Sequence, residues 1–318
     1  MTLLSINIPT YERLESFSAV LSKLAEEVGN LNADIKDLVR INVIDNDSSC
    51  SMFKKKLCEE LEKKFTIRIK FRKNEKNFGG PINVHNAHCA SPHANFTWVL
   101  GDDDHVIDGS LNYITSVLLT HKNELGLLIL SDKYYRIHAD LVIQRGFVSY
   151  CELARASTRL QPHFLIAHSL ISCNVFRSNV FVESESLYAM NDLYVRYGHW
   201  TGISHMRGLL SGLFRSNYSV IVADQVVLDT GRRESDVDFG VQILDIYYFH
   251  FLWLLTEIGV RIDQIKRDNS MYWLYRGAGY NLMLWRQKIK PKEKLRNLLV
   301  ALLGKKIFQT LRQVFEKK

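Results

Sequence analysis

The chain has no Cys-x-x-Cys pair, no Walker sequence, no Gly-x-Gly-x-x-Gly and only five prolines among 318 residues. Its five cysteines (Cys50, Cys58, Cys89, Cys151 and Cys173) are an odd number without paired spacing. Neither a disulfide framework nor a thiolate zinc site is suggested, and a reducing cytoplasm fits best. Without a phosphate-cradling glycine motif, ATPase and dinucleotide-binding readings lose their main support. Long apolar runs are also missing. Leu3 to Ile8 is too short for the core of a secretory signal and is broken by Ser5 and Asn7. Val241 to Val260 is the most lipid-like stretch, but it holds Asp245, His250 and Glu257 and reads as a buried helix rather than a span. There is no internal repeat and no low-complexity linker.

What remains is globular: 47% hydrophobic and 24% charged residues, in a chain long enough for one large or two small domains. The net charge of +7 is uneven. Arg286 to Lys318 holds eleven Lys or Arg against two Glu, a net of +9, so the rest of the chain sums to −2.

The first hundred residues alternate strand and helix patterns. Leu3 to Ile8 predicts a strand stopped by Pro9, and Leu14, Phe17, Leu21, Leu24 and Val28 recur at helical spacing. Val39 to Ile44 predicts a second strand, ending at Asp45, and Phe53, Leu57 and Leu61 mark a second helix. Ile67 to Phe71 predicts a third strand. Gly79-Gly80-Pro81 opens a helix through about Ala90, because proline suits the first helical turn. Phe96 to Leu100 predicts a fourth strand. The order argues for a mostly parallel α/β sheet flanked by helices. Ligands bind such sheets at the carboxyl ends of the strands. Thr10 and Tyr11, Asp45 and Asn46, Asn74 and Asn77, and the acidic run after the fourth strand all fall at such ends, so they converge on one edge. After Gly109 a helix near Ser110 to His121 and a strand at Leu125 to Leu130 are expected, with strand material from Tyr134 to Val148. Residues 150–240 have no clear periodicity.

The acidic run is Asp102-Asp103-Asp104, set behind Gly101. Unit charges about 4 Å apart repel by roughly 4 kcal/mol at an effective dielectric near 20. Held together at a strand end, such carboxylates need a cation or raised pKa values. Hard oxygen ligands suit Mg2+ or Mn2+. The alternative is an acidic turn capping a helix.

Four segments in order, Leu4-Ser5-Ile6-Asn7-Ile8-Pro9-Thr10-Tyr11, Val43-Ile44-Asp45-Asn46-Asp47-Ser48-Ser49, Asn77-Phe78-Gly79-Gly80 and Val99-Leu100-Gly101-Asp102-Asp103-Asp104, resemble the successive signatures of family 2 glycosyltransferases with the GT-A fold. The resemblance covers about residues 2–115. It implies a GT-A domain over 1–240, with a nucleotide-sugar half to about 115 and an acceptor half from 116, followed by a helical C-terminal region over 241–318. It implies a nucleotide-diphosphate-sugar donor bound by Pro9, Thr10, Tyr11, Asp45, Asn46, Asn77, Gly79, Gly80 and Asp102, with Asp45 accepting from the base. It also implies Mn2+ or Mg2+ on Asp102, Asp103 and Asp104, with Asp103 as the direct ligand. Two departures stand out: Asp45-Asn46-Asp47-Ser48 replaces the family's Asp-Asp-Gly-Ser, and Gly101 replaces the first aspartate of Asp-x-Asp-Asp. The Asn77–Gly80 loop also reads as an ordinary helix-start turn, and Asp45 as a turn residue.

A base must deprotonate the acceptor hydroxyl, and the family's downstream Glu-Asp pair has no clean match. Asp192, after Asn191, is one candidate. His205 is another, closing the run Tyr197–His205, which resembles a segment of bacterial O-antigen-type sugar transferases. His168 is a third. The basic tail alternates its charges with Leu295, Leu298, Leu299, Leu302, Leu303, Ile307, Leu311, Val314 and Phe315 at helical spacing. It reads as a solvated docking helix or as an interfacial helix on a membrane carrying a lipid-linked acceptor. Nucleic acid ranks lower, since no recognised module accompanies the charge. The expected activity is inverting transfer of a sugar to a saccharide acceptor, in the cytoplasm or at the cytoplasmic face of the inner membrane. The alternatives are an inactive GT-A scaffold of a glycan-assembly complex, a nucleotidyltransferase or a metal-dependent phosphohydrolase.

Overall fold

Four parallel strands carry the residues singled out above: β1 (Leu4–Thr10), β2 (Val39–Asp45), β3 (Ile69–Lys73) and β4 (Phe96–Val99), in the spatial order β3-β2-β1-β4. They belong to a computed structural model that describes residues 2–133, 142–146, 171–197 and 204–230, with the side chains of 142, 191–197 and 224 excepted. The chain divides into two units, Met1–Arg232 and Arg233–Lys318, and all described residues lie in the first. His168, the segment Gly198 to Ile203, Val241 to Val260 and the basic run from Arg286 lie outside them.

The sheet continues from β4 through β8 (Asn174–Arg177), β6 (Leu125–Asp132) and β9 (Ser219–Asp229) to β5 (His105–Val106), while β7 (Val142–Arg145) also pairs with β9. β8 runs antiparallel to both β4 and β6, and β9 runs parallel to β6. β1 to β4, β6 and β9 therefore share one direction, which makes the sheet mostly parallel. Helices α1 (Leu14–Gly29), α2 (Ala33–Lys36), α3 (Ser51–Phe65), α4 (Gly80–Cys89), α5 (Ser110–Thr120), α6 (Glu183–Tyr197) and α7 (Ser204–Phe214) complete the described elements. Among the described residues no helix is long and apolar enough to cross a membrane.

Local chemistry explains where each element starts and stops. Every residue of β1 is buried, as parallel strands covered on both faces require. The strand passes through Pro9 instead of stopping there. The β1–β4 register has ended at Asn7 and Val99, so Pro9 falls beyond the paired part of that ladder, where a missing N–H is tolerated. Ser5 and Asn7, which break the apolar run, are buried with a purpose. Asn7 Nδ2 donates to the carbonyl of Ala87 on α4 at 2.6 Å, and Asn42 Nδ2 donates to Ser5 Oγ at 2.7 Å and to Asn7 Oδ1 at 2.8 Å. This network holds α4 against the sheet.

α1 buries Phe17, Leu21, Leu24 and Val28 as its spacing predicts, each contributing roughly 1.5–3 kcal/mol. α3 differs from expectation. Its buried face is Ser51, Lys54, Cys58 and Leu61, and Phe53 is 68% exposed. The helix is turned by about one residue, or about 100°, because Lys54 has a buried electrostatic contact that no apolar side chain at that position replaces.

Candidate active site

The carboxyl ends of β1, β2 and β4 are joined by a continuous path of hydrogen bonds. Thr10 and Asp45 stand side by side at the ends of β1 and β2. Lys54, from the first half of α3, reaches between them: its Nζ lies 3.1 Å from Asp45 Oδ1, 2.9 Å from Thr10 Oγ1 and 2.9 Å from Ser48 Oγ. Neither the Lys54 nor the Asp45 side chain has exposed surface. Thr10 Oγ1 in turn donates to Asp102 Oδ2 at 2.7 Å. The base-reading candidate and the acid cluster are thus one connected unit.

Asp45 also accepts from Ser48 N at 2.9 Å and from the Ser48 hydroxyl. Burial works to raise its pKa, but the Ser48 bonds and the Lys54 ammonium outweigh burial and hold it below the ordinary value. In this arrangement Asp45 serves Lys54 and Ser48 and has no exposed surface, so contact with a nucleobase requires the side chains around it to move. Tyr11, the next residue after the Thr10 strand end, is 43% exposed and leaves its ring available.

Asn46 organises the glycine loop. Its Nδ2 donates to Asn77 Oδ1 at 2.7 Å, and its Oδ1 accepts from Phe78 N at 3.1 Å and from Asn74 Nδ2 at 3.1 Å. Asn77 Oδ1 also accepts from Gly79 N at 2.8 Å. Gly79 adopts φ +84°, and a Cβ added there or at Gly80 would meet nothing within 4 Å. The positive φ, and not crowding, is what calls for glycine at 79. The loop leads directly into the N-terminus of α4, where an anion is favoured.

In the acid cluster, Arg13 Nη1 lies 3.0 Å from Asp102 Oδ1 and 2.6 Å from Asp103 Oδ2. Burial raises the Asp102 pKa, opposed by Thr10 and Arg13 and reinforced by Asp103. Burial raises Asp104 further, to about 7, opposed by the Ser172 hydroxyl and reinforced by the charges of Asp103, Asp132 and Asp102. Ser172 donates to Asp104 Oδ2 and accepts from Gly101 N at 2.8 Å. A Cβ at Gly101 would stand 2.6 Å from Asp104 Oδ2, so a larger residue there displaces that carboxylate. The donor chemistry suits a hard divalent cation: three adjacent carboxylates offer only oxygen donors, and two of them have raised pKa values. Their oxygens are not gathered into one three-donor cluster, and Arg13 bridges Asp102 and Asp103 where a cation would compete with it.

Of the three base candidates, His168 lies outside the described residues, and the other two are placed differently. His205, on α7, is 2% exposed and its ring stacks on His88 at 5.4 Å. His88 is further enclosed by Phe176 at 5.5 Å and Phe181 at 4.8 Å. Burial, then the neighbouring histidines, depresses the His88 pKa to about 3. His205 therefore sits in an aromatic layer. Asp192 lies on α6, with its side chain outside the described residues.

Lys54, Arg13 and Ser172 were not legible in the sequence. Lys54 hides in the run Lys54-Lys55-Lys56, where only helical phase separates it from two exposed neighbours. Its signal was its place three residues after Ser51 and four before Cys58. Arg13 follows the recognised Thr10-Tyr11 pair and carried no separate mark. Ser172 comes from the stretch without periodicity and is brought in by the turn Ile171–Cys173 that precedes β8.

No family profile and no curated protein sequence matches the chain. Solved structures do. S. aureus TarS 1–349 in complex with UDP covers 94% of this chain and 81% of its own, at 16% identity and a TM-score of 0.51. The mannosyltransferase PcManGT from Pyrobaculum calidifontis, in complex with GDP-Man and Mn2+, covers 97% and 82%, at 12% identity and a TM-score of 0.51. The likeness shows the fold: this is a GT-A-type glycosyltransferase fold, mostly parallel and flanked by helices.

Proposed function

We propose that the protein is a glycosyltransferase that moves a sugar from a nucleotide-diphosphate-sugar to a saccharide acceptor, with inversion at the anomeric carbon. The observation that carries this reading is the bonded path from Asp45 through Lys54 and Thr10 to Asp102, which joins the nucleoside side of the strand edge to the acid cluster. The neighbours' ligands, UDP in one and GDP-Man with Mn2+ in the other, support the donor class and the cation.

Asp102, Asp103 and Asp104 are the residues proposed to hold Mn2+ or Mg2+, which when bound supplies a Lewis acid for the leaving diphosphate. Tyr11 lies against the base, and the Asn77–Gly80 loop, whose Phe78 and Gly79 N–H groups are held by Asn46 and Asn77, brings the α4 N-terminus to the donor phosphates. Thr10 keeps Asp102 oriented, and Ser172 does the same for Asp104. The burial of His205 favours a packing role, which leaves Asp192, ahead of His168, as the residue proposed to take the acceptor proton. The basic amphipathic segment after Arg286 supports an acceptor carried on a lipid.

Isothermal titration with UDP and GDP, with and without Mn2+, tests the reading. Nucleotide binding that needs Mn2+ and is lost in Asp103→Ala is expected. Binding that ignores both the cation and the substitution overturns the proposed site. Product analysis separates the alternatives: a sugar transferase releases nucleoside diphosphate, a nucleotidyltransferase pyrophosphate, and an inactive scaffold neither, even as slow donor hydrolysis.

A further inference from the structure

A second cluster of ligating atoms is made by residues outside the aspartate run. His85 and Cys89 are one turn apart on α4, and therefore on one helical face. The first turn of α6 brings Glu183 to the same point. His85 Nε2 lies 3.7 Å from Cys89 Sγ and 3.7 Å from Glu183 Oε1, and the three donor atoms all lie within 4.8 Å of one another. His85 Nδ1 is 3.2 Å from the hydroxyl of Ser186, one turn further along α6.

Hydrogen bonding alone serves this group poorly. The single Nε2 faces both a thiol, which offers a proton, and a carboxylate, which offers only lone pairs. A neutral ring nitrogen serves one of them, not both. Burial depresses the His85 pKa, against the opposing pull of Glu183, so the doubly protonated ring is disfavoured. In the tautomer whose Nδ1–H donates to Ser186, the Nε2 lone pair faces the sulfur and the carboxylate. A metal-binding histidine has its tautomer fixed in the same way, by a hydrogen bond from its other ring nitrogen.

We propose that His85 Nε2, Cys89 Sγ and a Glu183 carboxylate oxygen form a site for Zn2+ or a similarly borderline divalent cation. The ligand lengths of tetrahedral zinc, about 2.0–2.1 Å to nitrogen, 2.3 Å to sulfur and 2.0–2.2 Å to oxygen, set donor–donor edges of about 3.3–3.6 Å. The His85–Cys89 edge is already close to that. Glu183 has a 65% exposed side chain and closes the third edge by a rotamer change. A thiolate and an imidazole select zinc over the manganese or magnesium suited to the all-oxygen aspartate cluster. Three protein ligands leave a fourth position for water. Cys89 stays a thiol in the metal-free protein, because burial pushes it up to about 12. Binding breaks its S–H bond, forms an S–metal bond and releases the proton to solvent. The ion would tie α4, which follows the Asn77–Gly80 loop, to the start of α6. A search for paired cysteines overlooks such a site, since its single cysteine is paired with residues on two helices.

Cobalt titration of the full-length protein, after removal of metal by chelation, tests the site. The expected result is a thiolate-to-cobalt charge-transfer band of the amplitude of one thiolate ligand, with ligand-field bands of four-coordinate intensity, displaced by Zn2+ and independent of cobalt taken up by the aspartate cluster. Cys89→Ser abolishes the charge-transfer band, Ser186→Ala weakens binding by about 10–100-fold, and Asp103→Ala leaves the band unchanged. Glu183→Gln, at an exposed position that does not threaten folding, also weakens the cobalt complex. A wild-type protein without the band, a band that survives Cys89→Ser, or a Glu183→Gln affinity equal to wild type overturns the proposal.

Discussion

The Lys54 ammonium and the Asp45 carboxylate meet at 3.1 Å with no exposed surface on either side chain. A buried pair of this kind does not by itself stabilise a fold strongly, because both charges lose their hydration. It acts instead as a positional lock: α3 must present Lys54, and not Phe53, to the strand ends.

Breaking this lock is costly. Lys54→Ala leaves Asp45 buried and unpaired, and is expected to destabilise the protein by about 3–5 kcal/mol. Denaturant unfolding of the variant measures it. The pH dependence has a definite sign. Because the folded Asp45 pKa is depressed, its contribution is present above the ordinary value of 3.8 and is lost as pH falls below it. In Asp45→Asn that acid-limb loss is absent.

Asp104 behaves in the opposite way. Its pKa of about 7 in the metal-free protein is above its unfolded value. Its contribution to stability is greatest below 3.8 and is lost as pH rises through about 7. Cation binding requires the ionised form, so Mn2+ affinity rises with pH and levels off above about 7. Titration calorimetry in buffers of different ionisation enthalpy should register a proton released on binding just below that pH. Asp104→Asn removes the released proton.

Gly101→Ala separates stability from metal binding. The added methyl group meets Asp104 Oδ2 at 2.6 Å, and that oxygen is held by Ser172. The carboxylate must move, while the strand below it need not. A stability change within about 1 kcal/mol is expected, together with a clear loss of Mn2+ affinity by calorimetry.

Arg13→Gln tests the guanidinium that bridges Asp102 and Asp103. Arg13 is half-exposed, so each contact is worth roughly 0.2–1 kcal/mol. Removing it should raise Mn2+ affinity a few-fold in the absence of nucleotide. A fall in Mn2+ affinity would show that Arg13 assists the cation instead of competing with it.

Asn46→Ala removes the acceptor shared by Phe78 N and Asn74 Nδ2 and the donor to Asn77. Donor KM is expected to rise with little change in kcat, because the loop positions the ligand without touching the transferred bond. Steady-state kinetics over a donor series checks this.

The sequence by itself determined the main alternation of strands and helices to about Leu130, without the short α2 and β5, and the polar residue at each strand tip. Parallel strands buried on both faces leave near-continuous apolar runs, and the ends of those runs are legible locally. Thr10, Asp45, Asn46, Asn77 and the aspartates could therefore be placed on one edge without coordinates. Tertiary structure alone decided the rest. It selected Lys54 from three adjacent lysines, because the phase of α3 follows a carboxylate on another strand. It brought Ser172 to Asp104 from 68 positions along the chain, through β8, whose antiparallel insertion has no local signature. It also buried His205 against His88 in an aromatic layer with Phe181, since the fate of a single imidazole is set by its neighbours in space and not in sequence.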